Sequence, residues 1–207
     1  MDKQAREARE QMKQLGKKDK WINFWYYYRI HVIVGIIAAF LIIFTAVECA
    51  RRIDYDLSLS YYSATPISEE GITKLTEELK KNVDDVNLNG QTDVFIASCF
   101  ANPNEFSEQT QAVVMKLQAE LAAGDSMGYI VDKTYREMLE KGYTECFEGF
   151  ILISDIPEIK EMLSLSDDAE VFWTVKKLYE NEKNDEKKIY THENALKIQK
   201  YFESLKK

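Results

Sequence analysis

The sequence predicts an α/β protein with one membrane-spanning helix near its N-terminus, followed by a small three-layer α/β domain. Three observations lead to this prediction: an uncharged apolar run early in the chain, a change in the sign of the net charge across that run, and an alternation of strand-like and helix-like segments after it. The predicted organisation is a basic tail with an aromatic interface segment at residues 1–29, a transmembrane helix at 30–50 and an extracytoplasmic domain at 51–207.

The apolar run at residues 30–47 reads IHVIVGIIAAFLIIFTAV and contains no Asp, Glu, Lys or Arg. As a helix it would be roughly 27 Å long, close to the thickness of the bilayer hydrocarbon. A buried core helix normally carries a polar stripe, and this run has none. Aromatic rings and an arginine that suit the water–lipid interface precede it, so the predicted interface residues are Trp21, Phe24, Trp25, Tyr26, Tyr27, Tyr28 and Arg29.

The charge on the two sides of the run predicts its orientation. Up to Arg29 the chain has eight Lys or Arg against four Asp or Glu, whereas only Arg51 and Arg52 follow the run closely. Basic residues stay on the cytoplasmic side, so we expect a single-pass protein of the cell membrane with a cytoplasmic N-terminus. Residues 45–50 (TAVECA), with Glu48 before Cys49, favour an uncleaved anchor over a cleaved or lipidated chain.

The extracytoplasmic part is acidic and shows an alternating pattern of elements. From residue 53 onward seventeen basic residues stand against thirty acidic ones, a net charge of −13 that argues against a nucleic-acid partner. The first three strands should be parallel, because helices separate them. Periodicity and capping residues predict strands at 55–61, 93–99, 127–131 and 171–179, with helices after Ser68, from Ser107 to Gly124, at 134–141 and from Thr191, and a solvated loop at 180–188.

Few residues form a pattern that could carry chemistry. Asp85, Asn87 and Asn89 match the first half of a calcium loop and are weak metal candidates, but Ile96 stands where the closing glutamate belongs, so a helix-to-strand turn is the favoured interpretation. Cys99 and Cys146 could form a disulfide or remain free thiols. Known nucleotide, nucleophile and zinc motifs are absent from the sequence. We therefore expect no enzyme, no catalytic residues and no cofactor.

Two stretches resemble known families. The segment from Trp21 to His31, WINFWYYYRIH, resembles the juxtamembrane start of a family of single-pass membrane proteins of Gram-positive, clostridia-like bacteria. The stretches at 84–90 (DDVNLNG) and 117–125 (LQAELAAGD) are similar to the N-terminal lobe of extracellular solute-binding proteins of ABC importers. The second resemblance implies a periplasmic-binding-protein-like lobe over roughly residues 54–142. Residues 53–207 suffice for little more than one such lobe, whereas these proteins clamp ligands between two.

Two functions follow as hypotheses. In the first, the domain is an interaction or scaffold module of an envelope complex, with the lipid bilayer and a membrane or envelope protein as partners. In the second, it is a solute- or peptide-binding or sensory module working with a transporter or receptor. The absence of a second lobe favours the scaffold, because a deep cleft normally encloses a small polar ligand.

Overall fold

The computed structural model describes residues 16–51 and 53–206. The chain divides into two compact units, Met1–Arg52 and Ile53–Lys207, and each is described by itself. Residues 1–15, which hold half of the basic residues of the predicted tail, lie outside the described residues.

The first unit contains helix α1, Lys17–Arg51, which is long and apolar enough to cross a membrane. Its apolar stretch is Phe24–Val47, and none of that stretch is buried. The helix begins well before the predicted start at residue 30, so the aromatic segment continues the same helix as the apolar run. Because the apolar residues of α1 are exposed on every side, α1 is not a core helix of the part of the chain that the structure describes.

The second unit contains a five-stranded sheet among the described residues, in the order β2–β1–β3–β5–β4. Strands β1, β2 and β3 run parallel, and β5 lies antiparallel between β3 and β4. The strands are β1 Leu57–Ser63, β2 Val94–Phe100, β3 Gly128–Asp132, β4 Phe147–Leu152 and β5 Val171–Lys176. The helices are α2 Glu69–Lys80, α3 Glu108–Ala123, α4 Lys133–Gly142, α5 Pro157–Met162 and α6 Glu186–Leu205, with a short 3₁₀ turn at Thr144–Cys146.

Helices cover both faces of the sheet and produce two cores, which gives the predicted three layers. One core packs α2, α5 and α6 on residues such as Leu59, Ile130 and Trp173. The other packs α3 and α4 on Tyr62 and Tyr129. The alternation of residues along β1 explains the division, because neighbouring side chains of a strand point to opposite faces.

Helix termini agree closely with the sequence-based expectations. Ser68 and Ser107 cap α2 and α3 by accepting the amide protons of Gly71 and Thr110. Gly124 ends α3 in the left-handed conformation, with φ of 68°. The parallel arrangement of the first three strands is also confirmed, since each crossover carries one of these helices.

Other expectations were wrong. Strand β4 and helix α5 had no counterpart among the predicted elements, and β5 ends at Lys176 instead of continuing to Tyr179. Helix α6 begins at Glu186, where Asp185 caps it by accepting from the Lys188 amide, and not at Thr191. The segment 180–188 is not simply a solvated loop, because Glu182 within it is buried and residues 186–188 belong to α6.

Candidate functional site

The predicted membrane-interface side chains form an aromatic group on α1. Trp21 stacks on Phe24 with ring centroids 5.9 Å apart, and Phe24 stacks on Tyr28 at 5.1 Å. Tyr26 and Tyr27 contact each other edge to face. All seven predicted residues, including Arg29 and Trp25, are exposed at the start of the apolar stretch, which is where amphipathic rings are placed in membrane-spanning helices.

The weak metal candidates Asp85, Asn87 and Asn89 lie in a loop, and their side-chain oxygens accept hydrogen bonds from backbone amides of that loop. The carboxylate of Asp85 accepts from the amides of Asn89 and Gly90, at 3.2 and 2.7 Å. Asn87 Oδ1 accepts from the Asn89 amide at 2.9 Å, and Asn89 Oδ1 from the Gln91 amide at 2.7 Å. Ile96 is buried in β2. The two asparagine bonds are those of Asx turns, whereas the Asp85 bonds reach four and five residues along the chain. The described residues contain no group of three His, Cys, Asp or Glu side chains suited to a metal ion.

A buried carboxylate that sequence reasoning missed organises the same loop. Asp56 is completely buried and accepts from the amides of Val86, Asn87 and Asp93, at 2.7, 3.0 and 2.7 Å. Three amide donors satisfy a buried carboxylate without a cation. Asp56 therefore fixes the loop against the start of β1. The strand-like alternation at 55–61 contained no signal for this burial, because it placed Asp56 on the polar face, opposite Leu57 and Leu59.

A cavity of about 650 Å³ lies at the carboxyl ends of β1 and β3. The chain leaves the carboxyl end of β1 toward β2 and the carboxyl end of β3 toward β4, in opposite directions along the sheet, so this is its topological switch point, where open α/β sheets place ligands. The walls come from the β1–α2 connection, the start of α4 and the segment before β5. They include Ser63, Thr65, Ser68, Asp132, Thr134, Ser164, Ser166, Asp168 and Glu170.

One wall residue of this cavity is a buried phenol. Tyr61 is 1% exposed and lines the cavity. Burial and the nearby charge of Asp132 raise the pKa of Tyr61 well above its usual value, so it stays neutral and can donate. Sequence reasoning placed Tyr61 in a strand but had no signal for a cavity, which depends on the segment before β5.

Asp132 has a structural role in the same cavity. It caps α4 by accepting from the Tyr135 amide at 2.9 Å, and its other oxygen accepts from the Ala64 amide at 2.5 Å. Both oxygens are therefore engaged. The charge at the mouth is largely paired as well, because Lys133 lies 3.0 Å from Glu170.

A second buried polar cluster lies beside β4 and β5. The ammonium group of Lys176 lies 2.6 Å from a carboxylate oxygen of Glu182, and both side chains are almost fully buried. Glu182 also accepts from the Tyr179 amide and from Lys188. Burial raises the pKa of Glu182, but the hydrogen bonds from Lys176 and Tyr179 outweigh it and leave the pKa below its ordinary value. This ion pair fixes the segment after β5 to the end of the sheet.

The cysteines of the domain are both free. Cys99 is buried and its sulfur accepts from Lys116 Nζ at 2.9 Å. Cys146 is half-buried, and its sulfur accepts from the Tyr179 hydroxyl at 3.3 Å. Each thiol has its own partner.

The two edge strands of the sheet differ in their protection. Strand β4 carries the exposed Glu148, a glycine with φ of 133° at Gly149 and a register irregularity between Phe147 and Phe150. Strand β2, VFIASCF, has no charge, no proline and no irregularity in its pairing with β1. Phe95 and Phe100 on β2 are 44% and 46% exposed. Charges and bulges are the usual devices that prevent an edge from pairing, and only β4 has them.

The class that these features define is an α/β domain joined to a helix long and apolar enough to cross a membrane. Comparison with protein-family models, curated proteins and solved structures finds no match to this chain.

Proposed function

We propose that this chain is a membrane-anchored, non-enzymatic interaction protein whose extracytoplasmic domain binds a protein partner by edge-strand pairing. Helix α1 is the anchor, the N-terminus is cytoplasmic, and the domain that begins near Ile53 lies outside the cytoplasm. The resemblances noted above extend this proposal to a bacterial envelope protein with a domain like one lobe of a solute-binding protein.

The unprotected β2 edge is the observation that carries the proposal. Its outward backbone groups are available, and its exposed phenylalanines supply apolar area beside them. Partner strands add to such edges through main-chain hydrogen bonds. Because unpaired edges favour aggregation, proteins normally block them. A chain that blocks one edge of its sheet and leaves the other open is expected to bind a partner at the open edge.

Photo-crosslinking in native membranes tests this function. A benzoyl-phenylalanine replacing Phe95 lies on the β2 edge, and the same probe replacing Phe106, which is 96% exposed, lies off the strand. If β2 is the binding edge, the Phe95 probe yields a discrete adduct and the Phe106 probe does not. Adduct formation that simply follows exposure, strongest at Phe106, would contradict the proposal.

The orientation has its own test. A reporter enzyme that is active only in the cytoplasm, fused after Lys207, is expected to remain inactive, because the basic residues precede the apolar run. The same reporter fused before Met1 is the positive control. Strong activity of the C-terminal fusion would overturn the proposed topology.

Ligand binding is the second candidate function, favoured by the switch-point cavity and the buried, neutral phenol of Tyr61 in its wall. Amino acids and short peptides are the probes to titrate, with Tyr61→Phe as the variant that removes the hydroxyl alone. Saturable binding lost in that variant would favour this second function. We expect calcium and monosaccharides to bind no more tightly than about millimolar, because the Asp85 loop already uses its oxygens and the cavity is open to solvent.

A further inference from the structure

The outward side of β2 can be identified from the bonds at its two ends. The carbonyl of Asp93 accepts from the Asp56 amide at 2.8 Å, and the amide of Ala101 donates to the Ser63 carbonyl at 3.0 Å, so both face β1. Backbone groups of successive strand residues point alternately to the two sides, and the register with β1 is unbroken. The amides and carbonyls of Val94, Ile96, Ser98 and Phe100 therefore point away from the sheet.

Only part of this outward side is free. The carbonyl of Phe100 already accepts from the side-chain amide of Gln109 at 3.0 Å. The outward groups of Val94, Ile96 and Ser98 have no partner among the described residues. Among the described residues of β2, those with both outward groups free are Val94, Ile96 and Ser98, and they are centred on Ile96.

A symmetric set of backbone groups fits a second copy of the same strand. A two-fold axis at Ile96 places Ile96 opposite Ile96 of the second copy and Val94 opposite Ser98 of the second copy. Antiparallel residues related in this way exchange both of their hydrogen bonds. Side chains also fit, because Phe95 then lies opposite the small Ala97 of the second copy.

The charge of the domain limits where two copies can meet. The domain has a net charge of −13, so two copies repel each other over most of their surface. Strand β2 has no charged residue, and it is a seven-residue segment of the composition that pairs readily with copies of itself. The neutral strand is where like domains can meet without placing like charges opposite one another.

The blocked β4 edge determines the size of the assembly. A protein with two open edges would add further copies at both and form a filament. A protein with one open edge forms a dimer and no larger assembly, because pairing two copies covers the open edge of each. Confinement of both anchors to one membrane raises the effective concentration of the copies. We propose that two copies of this chain pair antiparallel through β2 about Ile96 and form one continuous sheet, an inference that rests on the proposed function of the β2 edge.

The test is the protein mass of the full-length chain in detergent micelles, measured by light scattering after subtraction of the detergent. Ser98→Pro removes an outward amide that β1 does not use, which edge strands tolerate. Ser98→Ala at the same position keeps the amide and is the matched control. The wild type and Ser98→Ala are expected at twice the chain mass, and Ser98→Pro at half that value.

Folding of each variant is checked by circular dichroism. If Ser98→Pro does not fold, Ser98→Lys replaces it, because a charge at the exposed Ser98 blocks pairing without changing the backbone. A wild-type chain at single mass, or a double mass unchanged in both blocking variants, overturns the self-pairing.

The Phe95 probe separates failure of the self-pairing from failure of the proposed function. An adduct of twice the chain mass in native membranes supports both proposals. An adduct with a different protein, together with a single-mass wild type, overturns self-pairing and leaves edge binding in place. A single-mass chain without any Phe95 adduct overturns both.

Discussion

The two edge strands of the sheet, β4 and β2, differ in whether their outward backbone groups are shielded from pairing with another strand. On the β4 side a glycine with positive φ, a register irregularity and an exposed glutamate shield the edge, and a buried ion pair fixes the segment that follows the neighbouring strand β5. On the β2 side a neutral seven-residue strand ends the sheet, and its exposed aromatic side chains remain beside open backbone groups. The same chain blocks one edge and leaves the other open. The unpaired backbone of β2 is therefore a specific property of that strand and not a general property of this sheet.

The largest expected effect is on the β4 side, at the buried ion pair. Glu182→Gln leaves the Lys176 ammonium group buried without its counter-charge and is expected to lower the free energy of unfolding by about 3–5 kcal/mol. Urea unfolding followed by circular dichroism measures it. Glu180→Gln is the control, because Glu180 is exposed and its one ion pair among the described residues is with Lys183. Equal, small effects of the two substitutions would mean that the Lys176–Glu182 pair does not stabilise the domain.

The Lys176–Glu182 pair also makes the free energy of unfolding depend on pH. Because the folded-state pKa of Glu182 is lowered, its contribution to stability is present above the pKa of an unfolded glutamate. That contribution is lost as the pH falls through the lower, folded-state value. The wild type should therefore lose stability in acid more steeply than Glu182→Gln, and parallel pH profiles of unfolding would contradict the assignment.

Proline substitutions at adjacent positions sharpen the assignment of the β2 side. Ala97→Pro removes an amide that faces β1 and is expected to cost about 1–3 kcal/mol, because a buried carbonyl of β1 loses its donor. Ser98→Pro removes an outward amide and is expected to cost clearly less. Unfolding in urea compares the two variants. A larger loss in Ser98→Pro would reverse the assignment of the free side.

The smallest expected effect concerns the irregularity of β4. The Thr174 hydroxyl donates to the Gly149 carbonyl at 2.6 Å, at the position where the glycine takes a φ of 133°. Thr174→Val keeps the shape of the side chain and removes this bond, so we expect a loss of about 1 kcal/mol. Thr191→Val is a control, because the Thr191 hydroxyl bonds only carbonyls of its own helix. A difference between them smaller than the measurement error would show that the bond does not support β4.

The sequence by itself determined the features that depend on local interactions. The apolar run of α1 follows from composition, and the ends of α2, α3 and α4 follow from Ser68, Ser107, Asp132 and Gly124, whose capping bonds reach only a few residues along the chain. The parallel order of the first three strands followed from the helices between them.

Only the tertiary structure decided the β4 side and the cavity. Strand β4 is FEGFIL, whose Glu-Gly interrupts the strand pattern, and it forms because β5 pairs with it from a distance along the chain. Glu182 looked solvated in a charged run, and its burial depends on Lys176 and Lys188, which no local pattern pairs with it. The cavity likewise needs the segment before β5 beside the ends of β1 and β3, because the walls of a site come from residues that folding alone brings together.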